Sequence, residues 1–482
     1  MRWEDTKQSI KNFLFEFRHQ KIGIFGVIVL AILLITAVFA PLIATPEAKE
    51  NWRNMAYWDE NPVNAPPAWM NYFTSKDMCP HVIMDNYEEK ITDLGGGIKQ
   101  DQLIFVYNYK YDIPPTDLTF KGELVYYNSS KPPTVNMSIL RPDGKTIKLY
   151  SAASKTGKPE DDHYVAEINV LVTASDTAKK ETYNFGRDFE TEENLEKVLS
   201  PDFVKPMSVI FSKTEPGILL ESADPLKGEY KLLIDVFYFD ERDNTRSAKS
   251  IFAGKVYGLL GTEKNRRDLF QGIVWGLRWA LALGLLVAVL SVSIGISFGI
   301  TSAYLGGWKD ELMQRFNEGV ASLPFLPILI LVAAAFKPSI WNIIILMSVL
   351  YWTGTAKVAR SMGLQIKEET YVEAARCLGA RDRRIIIKHM IPQVMPYAFA
   401  NMALSVPSAL LTEAGLSFLG LGDTTVITWG QILFDAQFAG ATLKGLWWWV
   451  IPPGLAIAIV GLTFVMIGTA LDTVLNPKMK RM

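Results

Sequence analysis

Residues that could act as nucleophiles, acid–base catalysts or metal ligands do not form a catalytic pattern in this chain of 482 residues. Its two cysteines and four histidines are scattered, and no Gly-rich phosphate loop followed by Lys and Ser or Thr is present. Glu160, Asp161 and Asp162 precede His163, but a solvated acidic loop explains that run more simply than a metal site. We therefore predict no catalytic residue, no metal site and no cofactor bound by this chain.

Two charged residues lie inside or beside apolar segments. Glu413 is within one, and an ionisable group inside a membrane span marks a functional site by default. A hydrogen bond at a helix end or between subunits is the simpler explanation. Arg278 lies near the boundary of another apolar segment, where its side chain can extend to the lipid headgroups.

A short helix is predicted at the start of the Arg-rich stretch from Tyr371 to Pro396, which separates two apolar regions. Thr370 and Glu373 have the T-x-x-E spacing of a capping box, which satisfies free N–H groups at a helix start. Gly379 stands where a helix ends on a left-handed residue, a conformation that costs other residues about 1 kcal/mol or more.

A second short helix is predicted from near Arg381 to Met390, with Pro392 stopping it. On the first helix, small and apolar residues share one stripe that is nearly flat and suits close approach to another surface. That stripe consists of Val372, Ala375 and Gly379, with Ala374 and Leu378 beside it.

Long apolar segments predict a polytopic α-helical membrane protein. Residues 22–44 carry no charge and exceed the apolar length of a signal peptide, so they are predicted to be an uncleaved transmembrane helix. The other expected spans bring the total to six, and they cover residues 272–304, 319–336, 339–356, 394–419 and 447–474.

The distribution of Lys and Arg favours both termini in the cytoplasm of a multi-pass protein of the cell membrane. Basic residues precede span one and follow spans two, four and six, so with six crossings they all fall on one side. Residues 1–21 carry Trp3, Ile10 and Phe13 at helical spacing, which predicts a cytoplasmic interfacial helix. Residues 45–268 then lie outside, and residues 269–482 complete the transmembrane core.

The external region 45–268 is predicted to be a mainly-β, sandwich-like insertion between helices 1 and 2. Alternating polar and apolar residues predict strands at residues 103–111, 122–128, 134–140, 145–152, 164–172 and 229–239. A helix is expected over residues 192–199. Asn128 and Asn136 match the N-glycosylation pattern, which also occurs by chance. Cys79 lies outside and Cys377 inside, so the two cannot pair.

Several motifs carry a resemblance to a known family. Glu373, Ala374 and Ala375, followed by Gly379 and then by Ile391 and Pro392, resemble the EAA loop of permease subunits of ATP-binding-cassette (ABC) importers. His389 stands where that pattern usually has Ile.

The longer resemblance is to the peptide and nickel permease family, in the subunit with a Gly-Thr-Asp-x-x-Gly-Arg-Asp segment before span two. Here that segment is GTEKNRRD, residues 261–268, with Glu263 in place of Asp and Arg266 in place of Gly. Further similar stretches are YLGGWKDELMQRF (304–316), EAGLSFLGLG (413–422), TWG (428–430) and NPK (476–478). The insertion is much longer than the short connection typical of the family.

The resemblance implies a transmembrane permease subunit of a type I ABC importer that translocates di- or oligopeptides. Its implied partners are a second permease subunit, two ATPase subunits inside, an extracytoplasmic substrate-binding protein and membrane lipid, with ATP and Mg²⁺ used by the ATPases. The loop 364–392 is the implied site of ATPase coupling, through Glu373, Ala374, Ala375, Arg376, Gly379, Ile391 and Pro392. Glu413 and Ser417 are the candidates for lining the translocation pathway.

Other interpretations remain open at this stage. Related permeases carry nickel or oligosaccharides, and nothing in the spans names the cargo. A membrane-anchored receptor or adhesin would bind through the β domain but has no need for the internal loop, and a membrane enzyme lacks a catalytic constellation. The formal net charge of −1 gives no basic surplus for binding nucleic acid.

Overall fold

Long helices and a β-sandwich occupy different parts of the chain in the computed structural model, which describes residues 15–160, 162–198, 200–336 and 339–475. Met1–Arg53 together with Leu269–Met482 forms one unit, here called the helical unit. Asn54–Asp268 forms the other, here called the β-rich unit. Most of the interfacial helix predicted over residues 1–21, and the NPK stretch, lie outside the described residues.

The helical unit begins with an apolar helix that agrees with the first predicted span. The uncharged run after Lys21 forms α1, and Pro41 near the start of the next helix follows a break at Phe39. The helices of this part of the chain are α1 (Lys21–Val38), α2 (Ala40–Ile43) and α3 (Pro46–Glu50).

Two five-stranded antiparallel sheets form the β-rich unit. Their strand orders are β1-β10-β4-β8-β7 and β2-β3-β9-β5-β6. Buried and half-buried residues alternate along β9, which places Leu232, Ile234 and Val236 in a core shared with Phe105 and Phe120. The strands are β1 (Val82–Met84), β2 (Glu88–Gly95), β3 (Ile98–Tyr109), β4 (Asp117–Tyr126), β5 (Thr134–Leu140), β6 (Thr146–Ala153), β7 (Lys158–Glu160), β8 (His163–Leu171), β9 (Gly228–Tyr238) and β10 (Asn244–Ala253).

All six strands predicted from alternation are present, as is the helix expected after Thr191, whose hydroxyl accepts from the N–H of Asn194 at 3.4 Å. The helices of this unit are α4 (Asp176–Arg187), α5 (Glu192–Lys197) and α6 (Pro206–Ile210). Strands β1, β2, β7 and β10 were not predicted; the first three are edge strands, whereas β10 lies between β1 and β4. The first half of β10, Asn244 to Lys249, is polar apart from the buried Ala248, so it lacks the apolar alternation on which the prediction depends.

Five described helical segments are long and apolar enough to cross a membrane, where the sequence predicted six spans. The predicted third span, residues 319–336, is broken around Pro324 and leaves an 11-residue helix, α9. The helices are α7 (Leu269–Leu305), α8 (Gly307–Ala321), α9 (Phe325–Ala335), α10 (Ile340–Lys367), α11 (Thr370–Cys377), α12 (Asp382–Ile385), α13 (Ile391–Phe418), α14 (Trp429–Phe438) and α15 (Trp447–Leu475).

Candidate functional site

The first helix of the predicted coupling loop, α11, begins one residue earlier than the capping box requires. Glu369 is the N-cap residue and makes no side-chain cap hydrogen bond, so the predicted Thr370–Glu373 box is wrong. The backbone N–H groups of Val372 and Glu373 instead donate to the carbonyl oxygen of Glu369, at 2.9 and 3.2 Å. Thr370 is thus already helical, and its hydroxyl is not in the capping position.

The end of α11 agrees with the sequence prediction. Gly379 has φ = 77°, in the left-handed region. Its N–H donates to the carbonyl oxygen of Arg376 at 3.0 Å, and the N–H of Ala380 donates to that of Ala375 at 3.1 Å. This pair of bonds is the Schellman motif, which needs a left-handed residue and therefore favours glycine. The glycine turn fixes the direction in which the chain leaves α11.

Two residues of the stripe on α11, Val372 and Ala375, face this chain's own core. Val372 is fully buried and Ala375 is 9% exposed, and both pack with Ile385 and Val394. These two side chains therefore pack against the chain's own helices and not against a partner. Glu373, Ala374, Arg376 and Gly379 are exposed.

Leu378 is the most exposed large apolar side chain of the loop. It is 87% exposed at the end of α11, beside Gly379. The sequence placed it only at the margin of the stripe, because helical spacing does not reveal which side faces the chain's own core. A single exposed leucine is common on protein surfaces. Leu378 is a candidate contact residue because it lies on the predicted coupling loop.

A tyrosine at the end of α7 holds the two helices of the loop. The hydroxyl of Tyr304 donates to Oδ1 of Asp382 at 2.7 Å, at the start of α12. The guanidinium carbon of Arg376 lies 5.5 Å from the centroid of the Tyr304 ring, within cation–π range. The loop is therefore tied to a membrane-crossing helix from both sides of its glycine turn.

The second predicted helix does not stop at Pro392. α12 passes through a π-helical turn, Ile386–Met390, into α13, and Pro392 lies in the first turn of α13. Proline has no N–H and clashes with a regular helix four residues before it, and the π turn supplies the local change in spacing that accommodates it. Ile391 is half-buried against the core below the loop, and Pro392 is exposed.

Asp310 of the YLGGWKDELMQRF stretch forms an ion pair with Arg360 of α10. Nε and Nη2 of Arg360 in α10 donate to the two carboxylate oxygens of Asp310 at 2.8 and 2.6 Å. Ser302 also donates to Asp310. The Arg360 guanidinium lowers the pKa of the Asp310 carboxyl. Gly299 of α7 lets the backbone of α10 come close at Arg360, since a Cβ on residue 299 would lie 2.8 Å from the backbone nitrogen of Arg360.

The two pathway candidates are in contact with each other. Ser417 Oγ donates to Oε1 of Glu413 at 2.7 Å, and both residues are buried. Glycines of the similar stretches make room for them: a Cβ on Gly430 would lie 2.7 Å from that of Ser417, and a Cβ on Gly422 would collide with its hydroxyl. Glu413 also lines a small cavity with Trp279 and Thr428.

The GTEKNRRD segment of the β-rich unit contains a buried ion pair. Nε and Nη2 of Arg267 donate to the carboxylate of Glu263 at 3.0 and 3.2 Å, and the two side chains are 8% and 1% exposed. Arg266, which replaces the family's Gly, has φ = 66°. Its side chain donates to the carbonyl oxygens of Asp59 and Asn61 at 2.6 and 3.1 Å. These bonds offset the cost of a left-handed arginine, about 1–2 kcal/mol.

The described residues contain no group of three or more metal-ligating side chains. Glu160 and Asp162 lie 3.6 and 3.1 Å from the two ring nitrogens of His163, while Asp161 is outside the described residues. His81, by contrast, is half-buried with both ring nitrogens buried, and neither nitrogen has a hydrogen-bond partner in the part of the chain that the structure describes. Burial lowers the pKa of His81 to about 4.

We expect the β-rich unit to lose stability as pH falls from about 6.5 to 4. The unfolded chain takes up a proton at His81 near pH 6.5, whereas the folded state resists it down to a pKa of about 4. The stabilisation is complete above pH 6.5, and about 3 kcal/mol is lost on acidification. Thermal unfolding of the detergent-solubilised chain by near-UV circular dichroism at several pH values measures this. His81→Phe should remove much of the dependence and His163→Gln should not, and equal curves for wild type and His81→Phe would contradict the prediction.

Comparisons with known proteins agree with the motifs. A family model described as the inner membrane component of binding-protein-dependent transport systems matches residues 295–481. A second, described as the N-terminal TM domain of oligopeptide transport permease C, matches residues 10–67. Residues 68–294, which include most of the β-rich unit, lie between the two matches.

Among full-length relatives, the dipeptide transport system permease protein DppC of Bacillus subtilis (strain 168) is 35% identical over 59% of this chain and 78% of its own length. The oligopeptide transport system permease protein OppC of Haemophilus influenzae is 36% identical over 50% of this chain and 77% of its own. A solved structure of the MetNI methionine ABC transporter in an inward-facing conformation aligns at 16% identity over 43% of this chain and 96% of that chain. Its TM-score of 0.36 is too low to guide the geometry of this one.

Proposed function

This chain belongs to the peptide-transport permeases of binding-protein-dependent ABC importers, and from that premise we propose that it couples peptide translocation to ATP hydrolysis through the loop 364–392. It is a multi-pass membrane permease and not itself an enzyme. Permeases of this family work with ATPase subunits and a binding protein. The observation that carries the proposed coupling role is a short helix, α11, fixed by a left-handed glycine and presenting an exposed leucine.

The proposed ATPase contact is the outward side of the loop. Glu373, Ala374 and Arg376 are exposed there, together with Gly379 and Pro392. Ala375 and Ile391 support this surface from below, because Ala375 is buried and Ile391 is half-buried in the chain's own core. Leu378, at 87% exposure, is the apolar side chain that we add to the predicted set. Burial of this exposed leucine in a pocket of a partner would remove its apolar surface from water and so favour binding.

Leu378→Glu is expected to abolish co-purification of the ATPase subunits in gentle detergent. The carboxylate would have to be desolvated in a pocket that the leucine fills, while the folded chain would be little affected because the side chain is exposed. Leu443→Glu is the matched control, since Leu443 is 95% exposed and lies between α14 and α15, away from the loop. The coupling role is contradicted if the ATPases remain bound to Leu378→Glu as they do to Leu443→Glu.

We propose six crossings with both termini in the cytoplasm, counting α9 as the third. An 11-residue helix rises about 16 Å, which is shorter than the hydrocarbon core, so flanking residues must complete the crossing. The distribution of Lys and Arg supports this count, because five crossings would separate the basic residues of the loop 364–392 from those before α1. Residues 45–268 are then extracytoplasmic.

Cys377 gives a direct test of this orientation. It is exposed on α11, whereas Cys79 is buried in the β-rich unit. A membrane-impermeant maleimide is expected to label Cys377 only after the cells are permeabilised, and Cys377→Ser should remove that signal. As a control for reagent access, Phe203→Cys places an exposed thiol in the β-rich unit, which should react in intact cells. Labelling of Cys377 in intact cells would contradict the proposed topology, because it would place α11 outside the cytoplasm.

The proposed assembly contains a second, different permease subunit, two ATPases that use ATP and Mg²⁺, and an external binding protein. This chain itself would bind no cofactor. Glu413 and Ser417 are proposed to line the pathway with the partner permease, and their mutual hydrogen bond of 2.7 Å would hold the carboxylate until cargo or the partner replaces the serine. Peptides are favoured as cargo over nickel or oligosaccharides because the curated relatives are named for dipeptide and oligopeptide transport.

A further inference from the structure

A cavity of about 590 Å³ in the helical unit is not explained by coupling or by the Glu413 site. It lies between α3, the early turns of α7 and the segment that precedes α14. Its walls include two cations, Lys49 and Arg278, two indoles, Trp275 and Trp279, and the apolar side chains of Val426 and Ile427. The volume is within the usual range for small-molecule sites, about 300–1,000 Å³.

The two cations converge on one fixed indole. Lys49 Nζ lies 5.4 Å from the centroid of the Trp275 ring, and Arg278 Cζ lies 5.5 Å from it. Trp275 is 4% exposed, and its Nε1 donates to the carbonyl oxygen of Thr45 at 3.2 Å, so the ring is held in place. Cation–π contact steadies each charge without neutralising it.

Acidic side chains do not compensate these charges within the cavity. None of its described lining residues is Asp or Glu. Glu47 and Glu50 share α3 with Lys49 but do not line the cavity. The nearby Asp423 accepts from the N–H groups of Ile340 and Thr425, both at 2.8 Å, and is buried. Both cationic side chains are exposed and therefore accessible, and two like charges close together favour an anionic ligand.

We propose that this cavity binds the C-terminal carboxylate of a peptide before translocation, an assignment that rests on the peptide-import function and adds which end of the cargo the permease recognises. Arg278 presents a planar donor pair that matches a carboxylate, and Lys49 adds a point charge. The indoles and apolar residues accommodate the last side chain of the peptide without selecting one. Trp279 also lines the Glu413 cavity, so the carboxylate site adjoins the proposed pathway.

Reconstituted transporter, containing this chain, the partner permease, both ATPases and the binding protein, provides the test. Uptake of a mixture of short peptides with free C-termini is compared with uptake of the same mixture after C-terminal amidation, in vesicles of phosphatidylcholine. Lys49→Gln combined with Arg278→Gln is expected to lower the free-to-amidated uptake ratio about tenfold, because charge-assisted hydrogen bonds to the carboxylate are lost. The binding protein contributes the same factor to wild type and variant, so the change in the ratio reports the cavity.

Lys444→Gln is the matched control, since Lys444 is an exposed lysine of the helical unit outside the cavity, and it should leave the ratio unchanged. A double variant that loses uptake of both mixtures equally would overturn the inference by showing a structural role only. If uptake by the double variant differs from that by wild type only when the vesicles also contain phosphatidylglycerol, the cavity binds a lipid phosphate. That result would overturn the inference too. Failure of wild type to import either mixture would instead overturn the peptide-import function itself.

Discussion

Gly379→Val is expected to abolish coupled peptide uptake while leaving the chain inserted in the membrane. At φ = 77° a valine is strained by about 1–2 kcal/mol or more, because its branched Cβ is close to the following carbonyl. Among the described residues, no atom outside the turn lies within 4 Å of the position a Cβ would take, so the effect comes from backbone conformation and not from a clash. Relief of that strain requires breaking the Schellman bonds, which changes the direction of α11.

Peptide uptake, the amount of chain in the membrane fraction and ATPase co-purification together measure this expectation. Gly440→Val is a matched control. Gly440 follows α14, away from the loop, has φ = 67°, and has no atom of the described chain beyond its neighbours within 4 Å of its Cβ position. The same pair of hydrogen bonds is present there, from Gly440 to Gln437 at 3.0 Å and from Ala441 to Ala436 at 2.9 Å. Equal loss of uptake in both variants, or normal uptake by Gly379→Val, would show that the coupling assignment is wrong.

Features that depend on local composition were predictable from the sequence. Five spans follow from long apolar segments with few charges, and six strands follow from alternation, because burial on one face of a sheet requires it. Gly379 was identified because only glycine adopts a left-handed helix end without strain. In each of these cases one local rule and the tertiary fold favour the same structure.

The wrong predictions have a common physical cause, which is that tertiary packing can outweigh a local signal. Pro392 predicts a helix stop, yet a π turn lets α12 continue into α13. Thr370 predicts a cap, yet helix begins at Thr370 itself, after Glu369. The small side chain of Ala375 could pack against any close surface, and only the three-dimensional structure shows that it packs against the chain's own core.

Arg266 illustrates a different limit of sequence comparison. Arginine stands where the family motif has glycine, and its φ = 66° lies in the left-handed region that glycine adopts without strain. The side chain makes two bonds to backbone carbonyl groups that glycine cannot make. A residue other than glycine at this position therefore does not by itself exclude a left-handed backbone.

Glu263→Gln is expected to destabilise the end of the β-rich unit by about 3 kcal/mol, the usual cost of removing one partner from a buried ion pair. Glutamine keeps the shape and an acceptor for the N–H of Asn265, which Glu263 binds at 2.8 Å. It cannot neutralise the guanidinium of Arg267, whose side chain is 8% exposed, so a buried charge loses its bidentate carboxylate. The loss of stability should appear first in the chain around Ala65, which Thr262 holds through hydrogen bonds of 2.8 and 3.0 Å.

Hydrogen exchange of the full chain in detergent resolves this effect by segment, which a single unfolding midpoint does not. Amide protection should fall in peptides covering residues 60–68 and 260–268 and stay unchanged in β3 and β9. Glu167→Gln is the matched control, since its ion pair with Lys158 is 2.8 Å long but solvent-exposed, and screening by water leaves such a pair little effect on stability. If amide exchange in Glu263→Gln matches that in Glu167→Gln, the buried ion pair does not hold the GTEKNRRD segment. The hydrogen bonds of Thr262 and Arg266 would then be sufficient to hold it.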